Sequence, residues 1–236
     1  SRQLVTTDTE DLRGPDVRGP QAVTYQIPIP GSTQYFALSN HQGTTPYDAK
    51  YGANGLVVWH VLKPSGVELA WDIESAAGKF TNGQPDPVSG RDPLESAVNA
   101  VGSAADIFDG VQKTVFACGT NPNTHRYSGL YSSPQSLPTS VAFENIRRDA
   151  GTGDMLVDVF VTPKQKVLAP NGGEVLHEGQ PYTIQWVVRP AACITSVDLQ
   201  VSSNGGSSFT PIAQSLANSG LNTWTPTVSG TQFRIR

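Results

Sequence analysis

The sequence predicts an all-β protein, built as two β-sandwich domains in series with one short helix in the first. Three observations predict it. The 236 residues include 23 Gly and 18 Pro against 16 Lys+Arg and a single Met, a composition of short strands cut by turns rather than of helices. Several segments alternate apolar and polar residues with the period of two that puts one strand face on a core and the other in water. A polar, Pro-bearing break, Thr162-Pro163-Lys164-Gln165-Lys166, separates two stretches of different character and reads as a domain boundary, giving domains at 1–162 and 167–236.

The elements follow in order. Residues 1–19 are polar and rich in Gly and Pro, with a β-like run at Leu4–Thr7, and read as an arm or edge strand. Ala22–Pro28 alternates as a half-buried strand, and the turn at Pro30-Gly31 hands over to a second strand at Gln34–Leu38, which together make a hairpin. Gly55-Leu56-Val57-Val58-Trp59-His60-Val61-Leu62 is the most apolar run and is β-branched enough for a strand buried on both faces, the centre of the first core. Asp92-Pro93-Leu94-Glu95 carries an N-cap acid, Pro at the first helical position and Glu three residues after the cap. Leu94, Ala97, Val98 and Val101 then follow at helical spacing before Gly102, so a short helix is expected there. Strands at Ser140–Ile146 and Met155–Val161, joined by the tight Ala150-Gly151-Thr152-Gly153 turn, close the first domain.

Beyond the boundary, strands are expected at Tyr182–Val188, Ser196–Ser202, Phe209–Ala213 and Phe233–Arg236, with turn clusters between them at intervals typical of a small sandwich. The last of these stops in mid-strand, and the start at Ser1 has no initiator Met and no signal-peptide core. The chain therefore reads as an excised or processed segment. Cys118 and Cys193 fall in different domains without metal-binding spacing. An inter-domain disulfide and two separately buried thiols are both compatible with that.

Composition also sets limits on function. A formal charge of -4 with no Lys/Arg run gives no electrostatic basis for binding nucleic acid or an anionic membrane surface. No stretch approaches the roughly 20 apolar residues of a bilayer span. Of the four histidines, only His177 neighbours a glutamate, and Gly179 and Pro181 break the helix a zinc-protease motif needs, so a turn entering a strand is the better reading. His60, flanked by Trp59 and Val61, reads as a hydrogen-bonded core residue. The acid pairs Asp72/Glu74 and Asp106/Asp109 have no sequence feature that sets them across a cleft.

Asp106-Ile107-Phe108-Asp109-Gly110 places two carboxylates three apart before Gly. Asp106 and Asp109 could there contribute oxygen ligands to calcium, the one cofactor the sequence suggests. An Asp-Gly turn with an Asp cap explains the same letters without a metal. Ser202-Ser203-Asn204-Gly205-Gly206-Ser207-Ser208-Phe209 resembles the Asp-box of sialidase-type propellers, but occurs once where a propeller repeats it per blade. A hairpin turn with Asn-Gly-Gly is the simpler reading. Carbohydrate stacking would have to come from Trp71, Trp186 or Trp224.

Two resemblances add to this. Gln34-Tyr35-Phe36-Ala37-Leu38-Ser39-Asn40-His41-Gln42 followed by Gly55–Val61, then Ser103–Gly110 and Ser140-Val141-Ala142-Phe143-Glu144-Asn145-Ile146, resembles in order and spacing the region downstream of the zinc helix in secreted bacterial metalloproteases of the immune inhibitor A type. His41 stands where that family often has Arg, and Leu62 where it often has Asp; no zinc ligand carries over. The second domain is similar to fibronectin-type-III-like and yeast cell-wall-type modules appended to bacterial extracellular proteins. That likeness rests on Ala169-Pro170-Asn171-Gly172-Gly173-Glu174, Ile184-Gln185-Trp186, Val197–Ser202 with Gly205-Gly206, and Asn222-Thr223-Trp224. These resemblances imply a secreted or cell-surface, non-catalytic accessory segment. It would support or position a catalytic domain elsewhere in the parent polypeptide, its partners being that upstream domain or neighbouring subunits. A standalone structural or adhesive surface protein is the competing expectation, and a carbohydrate-binding module a third.

Overall fold

The computed structural model describes residues 2–4, 24–42, 54–62, 70–82, 84–86, 94, 103–127, 136–227 and 230–236. The protein is all-β, and its chain divides into two compact units, Ser1–Thr162 and Pro163–Arg236. The helix expected from Asp92 lies outside the described residues, Leu94 excepted, as do residues 5–7 of the expected first strand.

In the first unit, β1 (Arg2–Leu4), β2 (Thr24–Pro28), β3 (Tyr35–His41), β4 (Gly55–Leu62) and β5 (Ala70–Ile73) form one sheet in sequence order. β1 runs parallel to β2 and the other pairs are antiparallel. Two-residue ladders join β6 (Phe80–Thr81) to β7 (Gln84–Pro85) and β8 (Arg126–Tyr127) to β9 (Ser136–Leu137). A hairpin of β10 (Ala142–Arg148) and β11 (Met155–Phe160) completes the unit.

The register decides which side chains meet. Phe36 lies opposite His60, Leu38 opposite Val58 and Asn40 opposite Leu56, so these residues share one face. That face supplies Ile27, Phe36, Leu38, Leu56 and Val58 to a core that also takes Phe143, Ile146, Met155, Val157 and Val159 from the hairpin. Phe36 meets Phe116 and Phe143 edge-on at 5.4 and 5.7 Å, while those two rings stack on each other, the offset and T-shaped geometries that aromatic quadrupoles favour. The opposite face is also covered at its centre, where Tyr35, Ala37 and Val61 are buried with Trp59 against them. Hence β4 is buried on both sides, as its near-continuous apolar run requires. At its first residue, Gly55, an added Cβ would lie 2.6 Å from the Phe108 carbonyl oxygen. The close approach lets Leu56 and Phe108 exchange both backbone hydrogen bonds, at 3.0 and 3.1 Å, which ties the Ser103–Gly110 loop to the sheet.

The second unit pairs β12 (Lys164–Ala169), β13 (Tyr182–Arg189) and β16 (Leu221–Trp224) in one sheet, and β15 (Thr210–Ala217), β14 (Ser196–Ser202) and β17 (Arg234–Ile235) in another. Its core is Ile184, Trp186, Val188 and Leu199, with Ile194, Val197, Ile212, Leu216, Trp224 and Ile235 packed around them. The Trp186 indole donates to Asn218 Oδ1 at 2.9 Å, which satisfies the polar atom that burial would otherwise strand. Lys164–Lys166, polar enough to read as linker, belong to β12 and pair with Arg189, Val188 and Val187. Their side chains are exposed, so an edge strand hides behind solvated letters. In the turn after β12, the Glu174 carboxylate accepts from the Asn171 and Gly172 amides at 2.8 and 2.7 Å. Neither cysteine is a free thiol, since Cys118 and Cys193 are both disulfide-bonded.

Candidate functional site

The densest gathering of chemistry-bearing side chains lies in the first unit, at the end of the core face where β3 begins. Alternation puts Gln34 two residues before Phe36 on that face, His60 directly opposite Phe36, and Glu74 two residues past Asp72, which pairs with His60. His60 Nδ1 is 3.2 Å from Glu74 Oε1 and His60 Nε2 is 2.9 Å from Gln34 Oε1. The imidazole lies 4.7 Å from the Phe36 ring, centroid to centroid. After the turn at Ala76-Ala77, the Lys79 ammonium comes back to within 3.3 Å of Glu74 Oε2 as an ion pair. His60 is 0%, Glu74 1% and Lys79 8% exposed, so all three charge-bearing groups are held inside the protein.

Burial by itself pushes the Glu74 carboxyl up, but the Lys79 ammonium and the His60 imidazole together outweigh it and hold the group below its ordinary value. Glu74 is therefore a carboxylate wedged between two nitrogen bases. Burial also pushes the nearby His125 imidazole down, against the opposing pull of its hydrogen bond to the Cys118 carbonyl at 3.1 Å. Chemically, the arrangement joins secondary elements: it links the start of β3, the middle of β4 and the segment after β5. Asn121 extends it, its side chain accepting from the Lys79 amide at 2.7 Å and donating to the Lys79 carbonyl at 3.0 Å.

The sequence places His60 in the core but does not join it to Glu74, Lys79 and Gln34. The signal for Glu74 was present in the i, i+2 spacing with Asp72, which sends both acids to one face of a strand. Lys79 lies beyond a turn, and nothing in its local sequence says where it returns.

The two proposed calcium ligands are placed differently. Asp106 is buried, and its Oδ1 accepts from the Ser75 hydroxyl at 2.6 Å. Its Oδ2 accepts from the Ser103 amide and hydroxyl at 2.6 and 2.9 Å. With Ser103 Oγ accepting from Ala105 N at 3.3 Å, this closes a capping box around the 3-10 turn Ala104–Asp106. Asp109 Oδ1 accepts from the backbone amides of Val111, Gln112 and Lys113, each at 2.9 Å. Slight burial pushes the Asp109 carboxyl up, but the amides of Lys113, Val111 and Gln112 outweigh it and hold the group below its ordinary value. Gly110 follows at φ +74, the left-handed conformation an Asp-Gly turn needs. Both carboxylates thus face protons, whereas a calcium ion needs six to eight oxygens facing it. This donor set suits a loop clamp and does not suit a cation. Among the described residues, no group of three or more His, Cys, Asp or Glu side chains is placed to hold a metal.

The remaining candidates divide by exposure. His177 lies in a turn, where its carbonyl accepts from Gln180 N at 3.1 Å ahead of β13. The Ser202–Phe209 segment is a stapled hairpin turn: Ser202 Oγ donates to Asn204 Oδ1 at 2.8 Å and accepts from Gly206 N at 2.8 Å, while Asn204 Oδ1 accepts from Ser208 N at 3.0 Å. Trp186 is core and Trp224 packs against it. Trp71 is 48% exposed, edge-on to Trp59 at a 6.4 Å centroid distance.

No helix of the described residues is long and apolar enough to cross a membrane. The chain matches no family model, and neither a curated protein nor a solved structure matches it significantly.

Proposed function

We propose that this chain is a non-catalytic accessory segment of a secreted, metalloprotease-like protein, in which it supports or positions a catalytic domain lying outside these residues. The observation that carries this reading is the burial of the His60–Glu74–Lys79 cluster. Its carboxylate is met by the Lys79 ammonium and the His60 imidazole inside the core, where the three brace loops and are closed to a substrate. Both cysteines being oxidised supports an extracellular setting, because cytosolic reductants keep such thiols free. The expectation of two sandwich domains in series is supported by the division of the chain into two compact units and, in the second, by its two three-stranded sheets.

The test is the intact mass and upstream sequence of the native protein, set against the 25.1 kDa of this chain. A larger precursor carrying a His-Glu-x-x-His helix ahead of Ser1 supports the accessory reading. A mature protein of essentially these residues replaces it with a standalone structural or adhesive surface protein. Half-exposed Trp71 favours one further reading, a carbohydrate-binding surface. Retention on insoluble polysaccharide, lost in Trp71→Ala, would establish it.

A further inference from the structure

At the far end of the same core face, where β3 finishes, three polar side chains carry buried atoms that no protein group bonds. Asn40 and Gln42 are 7% and 4% exposed. Asn40 Oδ1, Asn40 Nδ2, Gln42 Nε2 and Asp154 Oδ1 all lack a hydrogen-bond partner. Leaving such atoms unpaired forfeits their hydration with nothing in return, so a cluster of four calls for something that pairs them.

Topology brings them together. Asn40 shares the core face with Leu38, and Leu38 pairs with Tyr25 on β2. Tyr25 feels the Asp154 charge, which after burial is the second cause that pushes its hydroxyl up. Gln42 follows Asn40 on the same side of the strand, and its carboxamide lies 3.3 Å from the point where a Cβ on Gly153 would stand. Gly153 immediately precedes Asp154 at the mouth of the β10–β11 hairpin. Gln42 thus lies beside the residue that precedes Asp154, and Tyr25, one pair along from Asn40 on the same face, lies within reach of the Asp154 charge.

The chemistry of the set selects its ligand. Asn40 Nδ2 and Gln42 Nε2 can only donate, whereas Asn40 Oδ1 and Asp154 Oδ1, as a carboxylate oxygen, can only accept. A cation would satisfy the oxygens and leave the amide protons stranded, and an anion would do the reverse while facing the Asp154 charge. Water alone, with two donors and two acceptors, satisfies both kinds, and internal waters characteristically make 2–4 such bonds. We infer that Asn40, Gln42 and Asp154 form an internal hydration site, in which bound water bridges the end of β3 to the β10–β11 hairpin. The bridge would fix the hairpin mouth against the sheet through a solvent molecule, where the opposite end of the face uses ions.

The experiment is water-to-amide cross-relaxation by NMR on the full chain, with the Asn and Gln carboxamides labelled in nitrogen. The expected result is direct cross-peaks of long-lived water to the Asn40 and Gln42 carboxamide protons, with the Asn40 peaks lost and the Gln42 peaks weakened in Asn40→Leu. Absence of both cross-peaks in the unmodified protein overturns the inference, and needs no variant to fold. Shifts of these carboxamide signals on replacing tetramethylammonium chloride by sodium or calcium chloride would also overturn it, in favour of a cation.

Discussion

The two ends of one core face solve the same problem in opposite ways. Where β3 begins, Glu74 and Lys79 bring opposite charges into the interior and face each other, with the His60 imidazole bridging Glu74 to Gln34. Where β3 ends, Asn40, Gln42 and Asp154 bring in neutral amides and one carboxylate oxygen that find no partner among protein atoms. A buried charge cannot wait for solvent, because the cost of desolvating it is several kcal/mol even after relaxation. A buried amide can, because one water restores most of what it loses. The molecule closes its ionic end with protein and leaves the amide end to hydration.

That contrast can be broken by experiment, most sharply at Glu74. Glu74→Gln removes the carboxylate between Lys79 and His60 and should cost about 3–5 kcal/mol in urea unfolding. Asn40→Leu, similar in shape and without polar atoms, should change stability by no more than about 1 kcal/mol in either direction. Comparable losses for the two variants would end the comparison.

Acid offers a second handle. Because Glu74 titrates below its ordinary value in the folded protein, its stabilisation is complete above the usual glutamate range. It drains away as pH falls through the depressed value. The slope should approach about 1.4 kcal/mol per pH unit for this one group, and denaturant midpoints of Glu74→Gln should lack that component. Equal acid slopes in both proteins would show that Glu74 is not the linked group.

Smaller effects sharpen the picture around the loop. Asp106→Ala removes the acceptor of the buried Ser75 hydroxyl and of the Ser103 amide and should cost about 1–3 kcal/mol, measured by thermal unfolding. Calcium should leave the melting temperature of the unmodified protein unchanged, since Asp106 and Asp109 are occupied by donors. A rise with calcium, reversed by a chelator, would instead make that loop a binding site.

Much of the fold was legible because it rests on short-range rules. Alternation predicts β2, β13 and β14, the Pro30-Gly31 turn after β2 places β3, the apolar run predicts β4, and the Ala150–Gly153 turn predicts the hairpin. β12 escaped because an edge strand can keep Lys164, Gln165 and Lys166 in water while its backbone pairs. β16 was seen only through Asn222-Thr223-Trp224 as part of a resemblance, its four residues being too few to establish a period. The polar clusters were less legible still. Strand alternation states which face Glu74 or Asn40 occupies, but Lys79 and Asp154 arrive from across turns, and their meeting is a property of the tertiary packing.

β4 lies between β3 and β5 in the ladder, and is covered on both faces. Its amides therefore have no local route to solvent, neither by fraying at an edge nor by the lifting of one packed layer. Exchange of those hydrogens for deuterium must await opening of the whole first unit. The slowest-exchanging amides of β4 would then report that unit's global stability directly, without denaturant, and serve as an internal gauge against which every loop and hairpin can be timed.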